Sequence, residues 1–269
     1  MINPTIAPGN ADSLQAIRAH ELEQVLALIP PTSRVLEIGA GAGWQAKTLA
    51  DHGHAVQAID VASSSYGDLR IWPVRLYDGF RIPFPDGSFD VVFSSNTLEH
   101  ISHVERFQEE IRRVLAADGF AIHILPTASW RWWSNIVHYP FVIRMALMTI
   151  GVLPRQQAAE IAVASARKKN SLWTLASKIL FPPRHGEQGN SLSELWLFSH
   201  FRWCPLFARC DWSVDRLVSM RLFCTGYAFL GPQLTVARRV QMSRFMGSSS
   251  MAYVVRPKER FNETASRHP

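Results

Sequence analysis

The sequence predicts an α/β fold, a mostly parallel sheet covered by helices on both faces. Three observations predict it. Short apolar runs that read as strands alternate with helical patterns. One of these runs, Val35–Ile38, ends in the turn Gly39-Ala40-Gly41-Ala42-Gly43, and after Trp44 a helical stretch opens at Gln45. A second run, His54–Asp60, ends in a carboxylate 21 residues after Gly39. At 269 residues the chain can bury one sizeable core, with room for an inserted subdomain.

Each element carries its own reason. Glycine lets the backbone turn tightly and approach a ligand, and a helix start offers unpaired N–H groups. The turn therefore suits a nucleotide-like cofactor. The dinucleotide fingerprint is G-x-G-x-x-G. Here its third slot is Trp44, the third glycine is Gly43, and Glu37 precedes the first glycine by two. Asp60 can accept hydrogen bonds from both ribose hydroxyls, or cap a helix before Ala62-Ser63-Ser64. Tyr77-Asp78-Gly79 follows, and Pro85-Asp86-Gly87 signals a turn before the short apolar strand Phe89–Phe93. Next come the exit Ser94–Asn96, a helix over Val104–Leu115, the turn Ala117-Asp118-Gly119 and a strand over Phe120–Leu125.

The pattern E-x-G-x-G-x-G at Glu37–Gly43 resembles the first motif of class I S-adenosylmethionine-dependent methyltransferases. The run Ile82-Pro83-Phe84-Pro85-Asp86-Gly87-Ser88-Phe89-Asp90-Val91-Val92, followed by Leu98-Glu99-His100, is similar to the "LPFPDGSFDVV" and "LEH" signatures of members acting on small molecules. The resemblance covers residues 34–126. It implies a Rossmann-like seven-stranded sheet, mostly parallel with an antiparallel last strand, and S-adenosyl-L-methionine as cofactor. By the same resemblance, Gly39, Gly41 and Gly43 line the methionine and ribose side, and Glu37 braces the loop near the charged end. Asp60 takes the ribose hydroxyls, Asp78 and Gly79 meet the adenine, and Ser95 and Asn96 face the sulfonium. Methyl transfer is then an in-line displacement, accelerated largely by positioning. A base is needed only when the acceptor must lose a proton; His185 and His100 are the catalytic candidates, with His138 behind them.

Charge is uneven. Residues 1–127 hold 9 Lys+Arg against 15 Asp+Glu, and residues 128–269 hold 19 against 7. A basic half suits an anionic partner or is a solvated surface. Cys204, Cys210 and Cys224 form no even framework, no C-x-x-C and no zinc-like spacing with histidine, so reduced thiols and no metal are expected. No secretory signal is visible, and a cytoplasmic protein is expected.

After Pro126 the chain inserts about 64 residues before Ser191. The insert, residues 128–190, opens with Trp130-Arg131-Trp132-Trp133 and continues as an apolar run over residues 136–153. Pro140 and Arg144 argue against a membrane span. A lid over the acceptor pocket, or a helix lying on an anionic inner-membrane surface, fits better. Beyond it, Ser191–His200 reads as a helix with a Ser191/Glu194 capping box. Trp203–Cys210 reads as another helix, and Trp212–Phe223 and Met251–Arg256 as closing strands. The tail from Pro257 reads as disordered. The expected function is a methyltransferase for a small-molecule or lipid- or glycan-linked acceptor. The alternatives are a nucleic-acid methyltransferase, for which no amino-methylation motif or RNA module is present, and a non-catalytic membrane adaptor.

Overall fold

The computed structural model describes residues 8–64, 66–149, 181–227 and 234–258. The expected disordered tail lies outside these residues apart from its first two positions, as does the end of the apolar run from residue 150.

Helix α1 (Pro8–Leu26) leads into β1 (Arg34–Ile38), α2 (Trp44–Asp51), β2 (Ala55–Val61), β3 (Arg75–Tyr77) and β4 (Phe89–Ser95). Then follow α3 (Val104–Val114), β5 (Leu115–Pro126), α4 (Ala128–Thr149), α5 (Glu194–Leu197), α6 (His200–Arg209), β6 (Trp212–Ser219), α7 (Val236–Met246) and β7 (Ser250–Pro257). The strands form one seven-stranded sheet in the order β3-β2-β1-β4-β5-β7-β6. β1 to β5 are parallel, and β7 runs antiparallel between β5 and β6. This is the expected fold class.

The sheet is buried on both faces, so its central strands are apolar throughout rather than alternating. Val35, Val91, Phe93, Phe120, Ile122 and Ile124 pack with Leu22 and Val25 of α1 and Leu49 of α2. Leu36, Ile38, Val92, Ala121 and Leu125 pack on the other face with Phe107 and Ile111 of α3 and Leu206 and Phe207 of α6. On α3 the buried positions Val104, Phe107, Gln108, Ile111 and Val114 follow the period of one helix face.

Two boundaries and one cap stand out among the differences from the sequence reading. The strand expected to reach Phe223 stops at Ser219, because Arg221 takes a left-handed φ of 49°. The chain beyond it is held by irregular bonds instead, such as Met220 N–H to Ser250 O and Ser249 N–H to Leu222 O. The helix expected from Ser191 starts at Glu194, with Ser193 at its N-cap position and no side-chain cap; in the turn before it, the Asn190 side-chain oxygen accepts from the N–H groups of Leu192 and Ser193. No capping box forms, since the Glu194 carboxylate turns back to the His185 and Gly186 N–H groups.

Helix α4 carries Pro140 inside it. Its residues Trp132, Ile136, Tyr139 and Ile143 are exposed at helical spacing, whereas Trp130, Arg131, Ser134 and His138 are buried. Among the described residues, no helix is long and apolar enough to cross a membrane. All three cysteines are free.

Candidate functional site

The order of the sheet places a crevice where β1 and β4 diverge to opposite sides. In such sheets ligands bind outside the carboxyl ends of the strands at this switch. The residues expected to hold the cofactor all leave from those ends. A cavity of about 580 Å3 lies at the opposite edge, lined by first residues of strands such as Arg34, Ala55 and Phe89. Of its lining, Trp72 also packs against the glycine turn.

In the glycine turn, Gly39, Gly41 and Gly43 have φ of 74°, 56° and 81°. Space is as tight as conformation. A Cβ on Gly39 would stand 2.3 Å from Thr97 Oγ1, and one on Gly43 would stand 2.5 Å from Trp72 Cβ. Thr97 is fixed in turn, donating to Ile38 O and Ser95 O at 3.3 and 3.2 Å. The loops after β1 and β4 are thus pressed together, and only glycine lets them meet. Thr97, Trp72 and Tyr66, which pack on the turn, were not singled out from sequence; nothing in their spacing announces it.

Asp60 is not a helix cap. It lies in β2, is buried, and accepts from the Gly41 N–H at 3.0 Å and the Val61 N–H at 2.8 Å. This clasp ties the second strand to the glycine turn. Glu37 is 2% exposed, and its Oε2 has no hydrogen-bond partner. Burial pushes its carboxyl up to about 8, against a backbone hydrogen bond from Ala46. Asp78 is exposed, and its Oδ1 accepts from the Phe80 and Arg81 N–H groups, which hold its pKa below the usual range. Gly79 follows with φ 83°, and its carbonyl contacts His103 Nε2 at 3.1 Å. Ser95 ends β4, and Asn96 takes an unusual φ of 51° while its N–H bonds Ile124 O. Of the cofactor residues, the glycine turn and Asp60 are directly joined. Asp78 and Gly79 form a separate loop at the neighbouring strand end.

The two catalytic candidates meet. His100 and His185, 85 positions apart, have ring centroids 4.8 Å apart, edge to face. Trp130 lies 4.6 Å from the His185 ring and 6.0 Å from Phe198. Burial of the ring, then the charges of His100 and Arg131, push the His185 pKa down. His138 is elsewhere, bonded to the Tyr227 hydroxyl at 2.7 Å. Beneath the pair lies Glu99, 7% exposed and with neither carboxylate oxygen hydrogen-bonded. Burial pushes its pKa up to about 8.

His185 is placed by a second buried group, Glu194, to which the sequence reading gave a capping-box role instead. Glu194 Oε1 accepts from the His185 and Gly186 N–H groups at 2.7 and 2.8 Å. Glu194 Oε2 forms an ion pair with Arg131 Nε at 3.0 Å, though the Nε hydrogen is donated to Ser191 O. Arg131 also donates to Pro183 O. Thus α4 anchors the loop that carries His185.

The class follows from this fold and crevice. Residues 36–123 match the family model described as a methyltransferase domain, and that segment is a class I S-adenosylmethionine-dependent methyltransferase domain. The chain is 33% identical over 125 residues to the malonyl-[acyl-carrier protein] O-methyltransferase of Geobacter sulfurreducens, covering 40% of this chain and 45% of that protein. It is 32% identical over 110 residues to the 2-methyl-6-phytyl-1,4-hydroquinone methyltransferase of a Synechocystis strain, covering 38% and 33%. The chain therefore spans less than half the length of these relatives. A crystal structure of an S-adenosylmethionine-dependent methyltransferase from Mesorhizobium loti superposes with a TM-score of 0.53 at 15% identity, covering 90% of this chain and 99% of that one. It shares the fold.

Proposed function

We propose that this chain is an S-adenosylmethionine-dependent methyltransferase whose acceptor is a small molecule, free or tethered to a lipid or glycan carrier. The observation that carries it is the clasp between Asp60 and Gly41 N–H, which sets a carboxylate beside the glycine turn at the sheet's switch point. On this reading the turn and Glu37 hold the methionine end, and Asp60 exchanges its backbone partner for the ribose hydroxyls. Asp78 and Gly79 take the adenine, and Ser95 and Asn96 flank the sulfonium. The acceptor lies against His100, His185 and Trp130, on the β4 side of the cofactor. The methyl carbon then moves from sulfur to the acceptor atom in line, and the sulfonium leaves as a neutral thioether.

Calorimetry with S-adenosylmethionine tests the cofactor half. One site per chain is expected, weakened at least tenfold by Asp60→Ala, since two hydrogen bonds to a carboxylate are lost, each of about 1.5–3 kcal/mol. Absence of heat at any cofactor concentration sinks the reading. Transfer itself is followed with labelled cofactor and a panel holding a carboxylate and a hydroquinone, the acceptor chemistries named for the two relatives.

A lipid-tethered acceptor is favoured by the exposed stripe Trp132, Ile136, Tyr139 and Ile143 on α4. Such a face suits peripheral contact of a cytoplasmic enzyme with an anionic inner-membrane surface. Flotation with anionic liposomes at low salt is expected. Protein that stays at the bottom of the gradient removes this part.

A further inference from the structure

We propose that Glu99, His100 and His185 form a binding site for one divalent first-row transition-metal ion at the acceptor end of the crevice. The binding claim stands on these three side chains alone; the ion's use in methyl transfer rests on the function proposed above. One ligand atom from each residue falls within 4.8 Å of the others. Glu99 Oε1 is 3.8 Å from His100 Nε2 and 3.9 Å from His185 Nε2, too far for hydrogen bonds. Donors on a shared ion with bonds of about 2.0–2.2 Å stand roughly 3–3.5 Å apart. Rotations that move the donors by about an ångström close the set. His100, at 41% side-chain exposure on a short turn after β4, has room to make one.

The second observation is the carboxylate itself. Glu99 is buried with both oxygens unpartnered, an arrangement that costs several kcal/mol unless a cation compensates it. The arginines whose charges reach the cluster are already engaged. Arg18 pairs with Glu21 at 2.6 Å, and Arg131 pairs with Glu194 at 3.0 Å. Among the described residues, those pairs leave no cationic side chain over for the Glu99 oxygens. Two imidazoles and one carboxylate with open positions suit Fe2+, Zn2+ or Co2+ better than Mg2+ or Ca2+, which prefer all-oxygen sets. An acceptor oxygen can fill an open position and be held there beside the methyl donor. The sequence hides the set, because His185 lies 85 residues from His100 and no local spacing links them.

The test uses the whole chain, stripped with a chelator and titrated with Co2+ and then Zn2+ in the absence of S-adenosylmethionine. One Co2+ per chain is expected, with visible ligand-field absorption that Zn2+ displaces. Glu99→Gln, His100→Ala and His185→Ala should each weaken binding by at least about tenfold, the lower bound even for groups that merely support a ligand. His100→Ala removes a partly exposed side chain, so its melting temperature should stay unchanged while its Co2+ spectrum is lost. His52→Ala, at an exposed histidine on α2's end, should keep both. No absorption in the wild type, or absorption unaltered by all three substitutions, overturns the proposal. Metal binding without any S-adenosylmethionine binding would instead remove the methyltransferase reading and leave the site.

Discussion

Gly39→Ala should abolish detectable S-adenosylmethionine binding, a loss of at least about 100-fold, although it adds one methyl group. Two effects combine. At φ 74° a side chain meets its own backbone, at roughly 1–2 kcal/mol for a residue other than glycine. The larger effect is space, because the new Cβ falls 2.3 Å from Thr97 Oγ1 and 2.9 Å from Thr97 Cβ. Thr97 cannot swing away without giving up its bonds to Ile38 O and Ser95 O. The turn after β1 must therefore lift from the loop after β4, which displaces Gly41 from Asp60. Gly53→Ala separates the two causes. Gly53 has φ 86°, yet nothing lies within 4 Å of a Cβ built there. That variant should lose about 1 kcal/mol of stability and bind the cofactor normally. Calorimetry on the two variants decides the matter. Equal binding by Gly39→Ala and the wild type would falsify the placement of the cofactor on this turn.

The cofactor half of the site is legible in the sequence because its parts are local. A turn that needs three positive φ values within five residues selects glycines at Gly39, Gly41 and Gly43, and strand ends fall where the apolar runs stop. The acceptor half is less legible because its geometry is made by distant pairs. Glu99 and Glu194 look like ordinary helix carboxylates, and burial of a charge leaves no trace in composition. Glu194 shows the difficulty plainly. Three residues after Ser191 it satisfies a capping pattern, yet it is buried and spends its oxygens on His185, Gly186 and Arg131. The helix starts without a side-chain cap, and Asn190, one residue before Ser191, satisfies the N–H groups of Leu192 and Ser193 in the turn that precedes it. Helix α1 escaped the reading for a related reason. Its inward stripe Ile17, Glu21, Leu22 and Val25 includes a buried carboxylate that bonds Arg18 and Ser250.

Arg131→Met should lower stability by about 3–5 kcal/mol, because it leaves Glu194 as a buried charge without its counter-ion. Arg131 and Glu194 have side-chain exposures of 4% and 0%, so solvent does not screen the loss. For a chain of this size the melting temperature should fall by on the order of 10 °C. The effect should also reach the crevice. Arg131 joins α4 to Ser191 O and Pro183 O, and Glu194 holds the His185 N–H, so the loop that carries His185 loses both ends of its tether. Methyl transfer should therefore drop while S-adenosylmethionine binding, which involves β1 and β2, stays near the wild-type value. Arg131→Met combined with Glu194→Gln gives the decisive comparison. The neutral amide keeps an oxygen for the His185 and Gly186 N–H groups, and no unpaired charge is left inside. The double variant should recover at least half of the lost stability, a coupling beyond what independent sites show. If Arg131→Met alone costs less than about 1 kcal/mol, the ion pair is not what fixes the loop. If the double variant is less stable than either single one, the hydrogen bonds of Arg131 to the two carbonyls matter more than the charge of its partner.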